Sequence, residues 1–399
     1  MKLGLLSIGQ CGGNIALEAY ERDLELLENA GEDYVPFEIE TINSNEFDNQ
    51  KLKEAGVSVR VLGDQEALKN NEGGAAKNRN ISKNLLKKYG ASLLMDIAKK
   101  FYDCQVIVAN ASTSGGTGSG ELIMSMDIIR NMILKMDKEN DVKDRKRAFV
   151  IYGIVPNINE DLKALGNSVE AIKEISELNL PYILLDNSKV NSNNIKTTFD
   201  AINKSAVDDL RVLRGDFNSH SSKYGNIDFR DMITLISTPG LMSINKITGI
   251  KETDLSNQSL ESLIIKSIKD SYNIQTEKDK VISRIGIILS LTESMLGKFD
   301  SSLKELTDEV GQTAFKQVHV NIVEDESQTS IITILAGMSC PDSKLSDFVE
   351  MINSAKSEVT KTKESKIKDL NQSINWFNDD DEAEEEIEED IEDIFKKYK

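Results

Sequence analysis

The chain has 399 residues, 39% hydrophobic and 6% aromatic, with a formal net charge of −19; this length suits two domains and a tail with sizeable cores. No apolar run approaches the roughly 20 residues of a membrane helix, and the negative surplus repels a phosphate polymer, which argues against direct nucleic-acid binding. Three scattered cysteines (Cys11, Cys104, Cys340) and two histidines (His220, His319) lack metal-ligand spacing, which sets aside zinc chemistry and a Ser-His-Asp hydrolase and predicts reduced thiols.

In chain order, Met1–Ile8 is too short and too soon interrupted for a signal peptide. It reads as a first buried strand over 2–7, and the expected compartment is the cytoplasm, with no membrane partner. Further strands are expected at 38–43, 57–62, 104–111, 148–155 and 182–186, alternating with helices at 14–27, 81–101, 120–136, 160–178 and a long one from 194 to about 213. That alternation predicts an α/β fold with a doubly wound parallel sheet. A polar stretch at 215–226 precedes a helix over 228–236. Beyond Thr238-Pro-Gly240, strands at 281–291, 317–322 and 330–338 with helices at 260–270 and 295–310 predict a smaller α+β domain. A helix follows Pro341 and continues through 354–371, before an acidic run over 379–393 closed by Phe395-Lys-Lys-Tyr-Lys399. The expected units are a nucleotide-binding domain over 1–193, a central helix and loop over 194–240, an α+β domain over 241–342, a helical extension over 343–378 and an acidic tail over 379–399.

In a parallel sheet, ligands bind at the carboxyl ends of the strands. Ser114-Gly-Gly-Thr-Gly-Ser-Gly120 follows the apolar strand through Ala111 and precedes an amphipathic helix. Glycine-exposed backbone N–H groups and a helix N-terminus make an anion cradle there, to which Thr117 and Ser119 add hydroxyls; a triphosphate is the natural ligand. The plain alternative, a flexible Gly/Ser linker, rarely sits between a buried strand and a helix. Gly9-Gln-Cys-Gly-Gly-Asn14 repeats the logic after the first strand. Its spacing is neither a P-loop nor the G-x-G-x-x-G fingerprint. A third segment, Gly73-Gly-Ala-Ala-Lys-Asn78, is either a contact to the terminal phosphate or an ordinary turn.

Gln10-Cys-Gly-Gly-Asn14 together with Gly115-Gly-Thr-Gly-Ser-Gly120 resembles the paired phosphate loops of the tubulin/FtsZ superfamily, the second matching that family's G-G-T-G-[ST]-G signature. Asn226-Ile-Asp-Phe-Arg-Asp231 resembles the family's synergy loop, Asn-x-Asp-x-x-Asp. The likeness in order and spacing covers roughly the first 240 residues. It implies GTP and GDP as ligands with Mg2+, the metal ligands being left open, and hydrolysis in trans. Asn226, Asp228 and Asp231 of one subunit would complete the site of the next, so that GTPase activity follows head-to-tail self-polymerisation. The alternative for the two acids is capping of the helix they begin.

The resemblance places nucleotide contacts at Gly9, Gln10, Cys11, Gly12, Gly13 and Asn14, at Asn43 in Ile42-Asn-Ser-Asn45, and at Gly73, Gly74, Ala75 and Ala76. It adds Ser114, Gly115, Gly116, Thr117, Gly118 and Ser119, then Glu160 for the ribose, Asn187 for sugar or base and Asn203 for guanine. Asn45 stands where FtsZ carries an aspartate, and Ala164 where FtsZ carries an arginine.

Gln10-Cys11, the compact length and the acidic end are most similar to the TubZ-type branch, whose filaments segregate plasmid or phage DNA through a DNA-binding adaptor gripping the C-terminus. Within the tail, Ala383, Ile387, Ile391 and Ile394 or Phe395 recur at helical spacing. This predicts either a helix that folds on a partner or neighbouring subunit, or a solvating tail. Two other roles stay open: a cell-division or phage-positioning filament of the same fold, and a monomeric nucleotide-dependent enzyme.

Overall fold

The computed structural model describes residues 1–30, 34–63, 73–190, 192, 194–217, 224–256, 258–275, 281–299, 303–311 and 313–370. The acidic tail over 379–399 lies outside the described residues. Residues 1–351 form one compact unit and 352–399 another. The first half alternates β1 (Leu3–Ile8), α1 (Gly9–Ala30), β2 (Glu38–Asn43), α2 (Gln50–Ala55), β3 (Val59–Val61), α3 (Arg79–Lys100), β4 (Val106–Ser112), α4 (Thr117–Glu139), β5 (Ala148–Val155), α5 (Leu162–Glu177) and β6 (Pro181–Asp186). Then come α6 (Ile195–Arg214), α7 (Phe229–Ile236), β7 (Gly240–Thr248), α8 (Leu260–Asp270), β8 (Ile282–Leu291), α9 (Glu293–Leu296), α10 (Lys304–Val310), β9 (Thr313–Ile322), β10 (Ser330–Met338) and α11 (Asp342–Leu370).

All ten strands form one sheet, ordered β3-β2-β1-β4-β5-β6-β7-β10-β8-β9. The first six are parallel and β6 continues in parallel into β7, through Pro181 opposite Gly240 and Tyr182 opposite Leu241. β7 was not anticipated from the sequence. Its apolar pattern is broken by Ser243 and Asn245, both buried. Their polarity is absorbed inside the sheet, where the Asn245 amide donates to Ser243 Oγ and to the Thr333 carbonyl, each at 3.2 Å. The strands expected in the smaller domain thus extend the first sheet. The single helix expected over 295–310 is instead two short ones, α9 and α10.

β1 is buried at all six positions, as a central parallel strand covered on both faces must be. On one face, Val106 and Val108 pack with Ile15, Ala16 and Ala19 of α1 and Ile202, Ala206 and Leu210 of α6. On the other, Gly4 lies against the Phe101 ring at the end of α3, and Gly118 of α4 lies over Ala111. Helices therefore leave the carboxyl ends of β1 and β4 on opposite faces of the sheet.

α6 sets the long dimension. Asn194 caps it by accepting from the Thr197 N–H at 3.1 Å, and Gly215 ends it at φ +84°. Its 20 residues span about 30 Å, from beyond the carboxyl end of β6 to Arg214, whose carbonyl accepts from the Met1 ammonium at 3.2 Å beside the amino end of β1. The helix is keyed to the sheet by Asp209, which accepts from Tyr152 Oη at 2.6 Å and Asn273 Nδ2 at 3.1 Å. Burial pushes its carboxyl up to about 7.

Glu121, in the second turn of α4, is 0% exposed, and neither of its carboxylate oxygens has a hydrogen-bond partner. Burial pushes its pKa from 4.5 up to about 8. The folded state thus keeps a proton that the unfolded chain releases, so this group's contribution to stability is greatest below pH 4.5 and falls as pH rises towards 8. Glu121→Gln, neutral at every pH, is expected to raise the melting temperature at about pH 8.5 and to differ little from the parent near pH 5, in thermal melts followed by circular dichroism.

Candidate functional site

Three segments meet beyond the carboxyl ends of β1, β2 and β4. The chain passes from Ile8 straight into α1 through Gly9 at φ +71°, a left-handed conformation costly for any residue with a Cβ. Residues 9–14 are therefore the opening turns of the helix, which starts at Gly9 rather than at the expected residue 14. A Cβ on Gly9 would stand 3.2 Å from the backbone nitrogen of Gly118, so the N-termini of α1 and α4 abut. The N–H groups of each first turn have no intrahelical acceptor, and both macrodipoles present their positive ends to the same space.

The third segment closes this cradle from the α3 side. A Cβ on Gly116 would lie 2.8–3.0 Å from Ala75 Cβ, Asn78 N and Lys77 C. Asn78 then caps α3, accepting from the N–H groups of Asn80 at 3.0 Å and Ile81 at 3.4 Å. Ser82 Oγ donates to the Gly116 carbonyl at 2.8 Å. The buried Arg79 donates to the Ser119 carbonyl at 3.2 Å and pairs with Glu170 at 2.6 Å and Glu174 at 2.8 Å, tying α4 to α5.

The glycines divide into two sets. Gly12 lies against the Asn110 carbonyl, Gly13 against Leu52, Gly116 against the third segment, Gly118 against Ala111 and Gly120 against Ser82 and Arg79. These permit close packing of helices and loops. Gly74 and Gly115 have nothing within 4 Å of a would-be Cβ, and so face open space.

The hydroxyls divide similarly. Thr117 Oγ1 meets Ser44 Oγ at 2.6 Å at the rim, whereas Ser119 is fully buried and donates to the Gly115 carbonyl. Ser119's side chain therefore serves the loop, not the cradle; what it offers there is a first-turn N–H. Ser114 Oγ pairs with Ser112 Oγ at 2.8 Å. Gln10 and Asn14 are exposed. Burial, helped by the charge of nearby Glu160, pushes the Cys11 thiol up to about 12, so it stays neutral beside an anion.

The remaining candidates lie after β2, β5 and β6 and on α6. Asn43 accepts from the Asn45 N–H at 3.3 Å and braces the turn that presents Ser44. Glu160 accepts from the Asn157 N–H at 3.1 Å, and burial raises its pKa. Asn187 opens a 3-10 turn after β6, and its Oδ1 is buried with no partner. Asn203 is half-buried on α6. One turn before it stands Phe199, 49% exposed, which the sequence reading passed over; its i, i+4 spacing to Asn203 was the available signal.

Asn226, Asp228 and Asp231 lie elsewhere. Asp228 accepts from the Asp231 N–H at 2.8 Å, and Asp231 accepts in return from the Asp228 N–H at 3.4 Å, a capping box on α7. Asn226 and Asp228 are exposed. Behind them the buried His319 accepts from the Ile227 N–H through Nδ1 at 3.1 Å and faces Asn321 Oδ1 through Nε2 at 3.0 Å. The ring thus carries its proton on Nε2, and burial lowers its pKa. Gly225 accepts from the Val320 N–H at 3.2 Å, so this loop is stapled to β9. α6 runs from beyond the carboxyl end of β6 to the amino end of β1, and the acids follow it on a loop held to β9.

Among the described residues no group of three His, Cys, Asp or Glu side chains could hold a metal ion. Thr117 and the buried Ser44 hydrogen-bond to each other through their hydroxyls beside the first turn of α4. No helix among the described residues is long and apolar enough to cross a membrane.

A mostly parallel sheet with paired helix N-termini, no P-loop, and a long helix followed by a capped acidic loop fits a tubulin/FtsZ-like fold. No family model matches the chain. Two curated tubulin-like TubZ proteins, from Bacillus cereus and Bacillus anthracis, are each 23% identical over 400 residues, covering 90% of this chain and 84% of their own. Among solved structures, TubZ of Clostridium botulinum phage c-st is similar with TM-score 0.63 and 19% identity, over 90% of this chain and 99% of that one. The GTPγS-form protofilament of Bacillus thuringiensis serovar israelensis TubZ gives 0.70 and 17%, over 93% and 94%. The GTPγS-bound protofilament of CetZ2 from Haloferax volcanii gives 0.65 and 16%, over 89% and 100%. The chain shares the tubulin/FtsZ-like fold, and its sequence is similar to those of TubZ proteins over most of its length.

The two glycine sets behave differently on substitution. Gly116→Ala, which drives a Cβ into the third segment, is expected to cost about 1–3 kcal/mol in denaturant melts. Gly115→Ala is expected to keep stability within about 0.5 kcal/mol while weakening GDP binding measured by titration calorimetry.

Proposed function

We propose that the chain binds GTP in the cradle, hydrolyses it to GDP and phosphate, and assembles head to tail with copies of itself into a cytoskeletal filament. One observation carries this reading: the N-termini of α1 and α4 abut at Gly9 and Gly118, with open space at Gly74 and Gly115 where phosphates fit. The GTPγS-form and GTPγS-bound protofilaments of the similar TubZ and CetZ2 support both the nucleotide and the assembly.

The residues divide the ligand between them. First-turn N–H groups of α1 and α4 hold phosphates. The orphan Oδ1 of Asn187 suits a donor on a guanine edge or a ribose hydroxyl, Glu160 accepts from the ribose, and Asn203 with Phe199 offers a polar group and a stacking ring. The Thr117 and Ser44 hydroxyls would offer neutral oxygens to Mg2+, which would supply neutralisation of phosphate charge.

Hydrolysis needs the neighbour. Phosphoryl transfer asks mainly for positioning and charge stabilisation. Asp228 and Asp231, presented at the far edge by α7 and braced by His319, orient the attacking water when the next copy docks over the terminal phosphate. The acidic tail would complement a basic DNA-binding adaptor electrostatically, which suits plasmid or phage segregation as the biological task.

GTP turnover measured against protein concentration, with light scattering alongside, is the direct test. The reading expects a critical concentration below which turnover vanishes; a rate linear in protein from the lowest concentrations would mean a self-contained monomeric enzyme. Asp228→Ala is expected to lower turnover by about 10²-fold or more at high protein concentration while leaving GDP affinity unchanged. Removing residues 379–399 is expected to abolish adaptor capture in a pull-down and to spare nucleotide binding.

A further inference from the structure

One buried side chain beside the cradle belongs to neither phosphate nor base recognition. Asn167, in the second turn of α5, is 3% exposed. Its amide nitrogen donates at once to the Lys77 carbonyl at 2.9 Å and the Ser114 carbonyl at 3.0 Å. A side-chain amide nitrogen has two N–H donors, so each bond has its own hydrogen, and two carbonyl partners leave no doubt which end of the amide is nitrogen. The acceptors sit in the two segments that border the cradle, 90 and 53 residues away in sequence.

Each bond has a consequence for the cradle. In a trans peptide the carbonyl and the following N–H point in opposite directions. Fixing the Ser114 carbonyl on Asn167 therefore turns the Gly115 N–H away from α5, at the residue that faces open space. The other bond holds a strained segment: Ala76 and Lys77 are consecutive non-glycine residues at φ +45° and +58°, in the left-handed region. The segment's ion pair, Lys77 with Asp161, is about half exposed on both sides, where such pairs contribute little. Asn167 is the buried tie.

We propose that Asn167 is a positioning residue that clasps the 73–78 segment to the glycine run, aims the Gly115 N–H and sets the preference for a nucleoside triphosphate over a diphosphate. The inference rests on the nucleotide-binding function proposed above.

The test compares GTPγS and GDP affinities, by titration calorimetry with Mg2+, in the full chain and in Asn167→Leu, which keeps the volume and removes both donors. The clasp predicts that GTPγS binding weakens about tenfold while GDP binding weakens less than about threefold. Equal losses, or none, overturn it. Amide hydrogen exchange without nucleotide gives a second reading. The Asn78 N–H, bonded to the Ala75 carbonyl at 2.6 Å, is expected to exchange faster in the variant, and unchanged protection overturns the clasp. If the parent chain binds neither nucleotide, the functional reading and the triphosphate preference fall together, while the exchange measurement still decides whether Asn167 holds the segment. Should the Leu variant fail to fold, Asn167→Ser is put through the same two measurements with the same expectations.

Discussion

The contact on which the site depends is the approach of two helix N-termini, α1 at Gly9 and α4 at Gly118. Each first turn leaves backbone N–H groups unsatisfied, and placing two together concentrates positive potential in one small space. No side-chain cation is needed to attract an anion there. This arrangement requires glycine at Gly9, Gly12, Gly116 and Gly118, because a Cβ at any of them would stand 3.2 Å or closer to backbone or packed neighbours. The glycine-rich character of the site is mainly a packing requirement at these positions, whereas Gly74 and Gly115 face open space.

Around that contact the chain spends buried polar groups on holding loops. Arg79 on the Ser119 carbonyl, Ser82 on the Gly116 carbonyl and Asn167 on the carbonyls of Lys77 and Ser114 all take backbone acceptors from behind. Carbonyl oxygens would repel a phosphate, so occupying them on the protein side leaves the opposing N–H groups for the ligand. Buried hydrogen bonds of this kind are individually modest but costly to leave half made.

The second constraint is the length of α6. A helix of about 30 Å capped by Asn194 and stopped by Gly215 carries the chain from the carboxyl end of β6 to the amino end of β1, ahead of the Asn226–Asp231 loop. His319, buried, fixes this loop onto β9.

The six parallel strands of the first half, the glycine segments, the helix after them and the capped α7 were all legible in the sequence, because local pattern fixes them: apolar runs, glycine, and Asp at a helix start. β7 was not, since its buried Ser243 and Asn245 look like surface residues until Thr333 stands opposite. Nor were Asn167, Arg79, Phe199 or His319 legible as site residues. Each acts through partners tens of residues distant or through its exposure, and no local pattern records either. By itself the sequence determined that glycine-rich segments open two helices after strands and that acids cap a later helix. Only the tertiary structure decided that the two starts abut, which glycines are packed and which face open space, and that the acids' loop is held to β9. Those are distances between segments, set by packing across the sheet and not by any single stretch of chain.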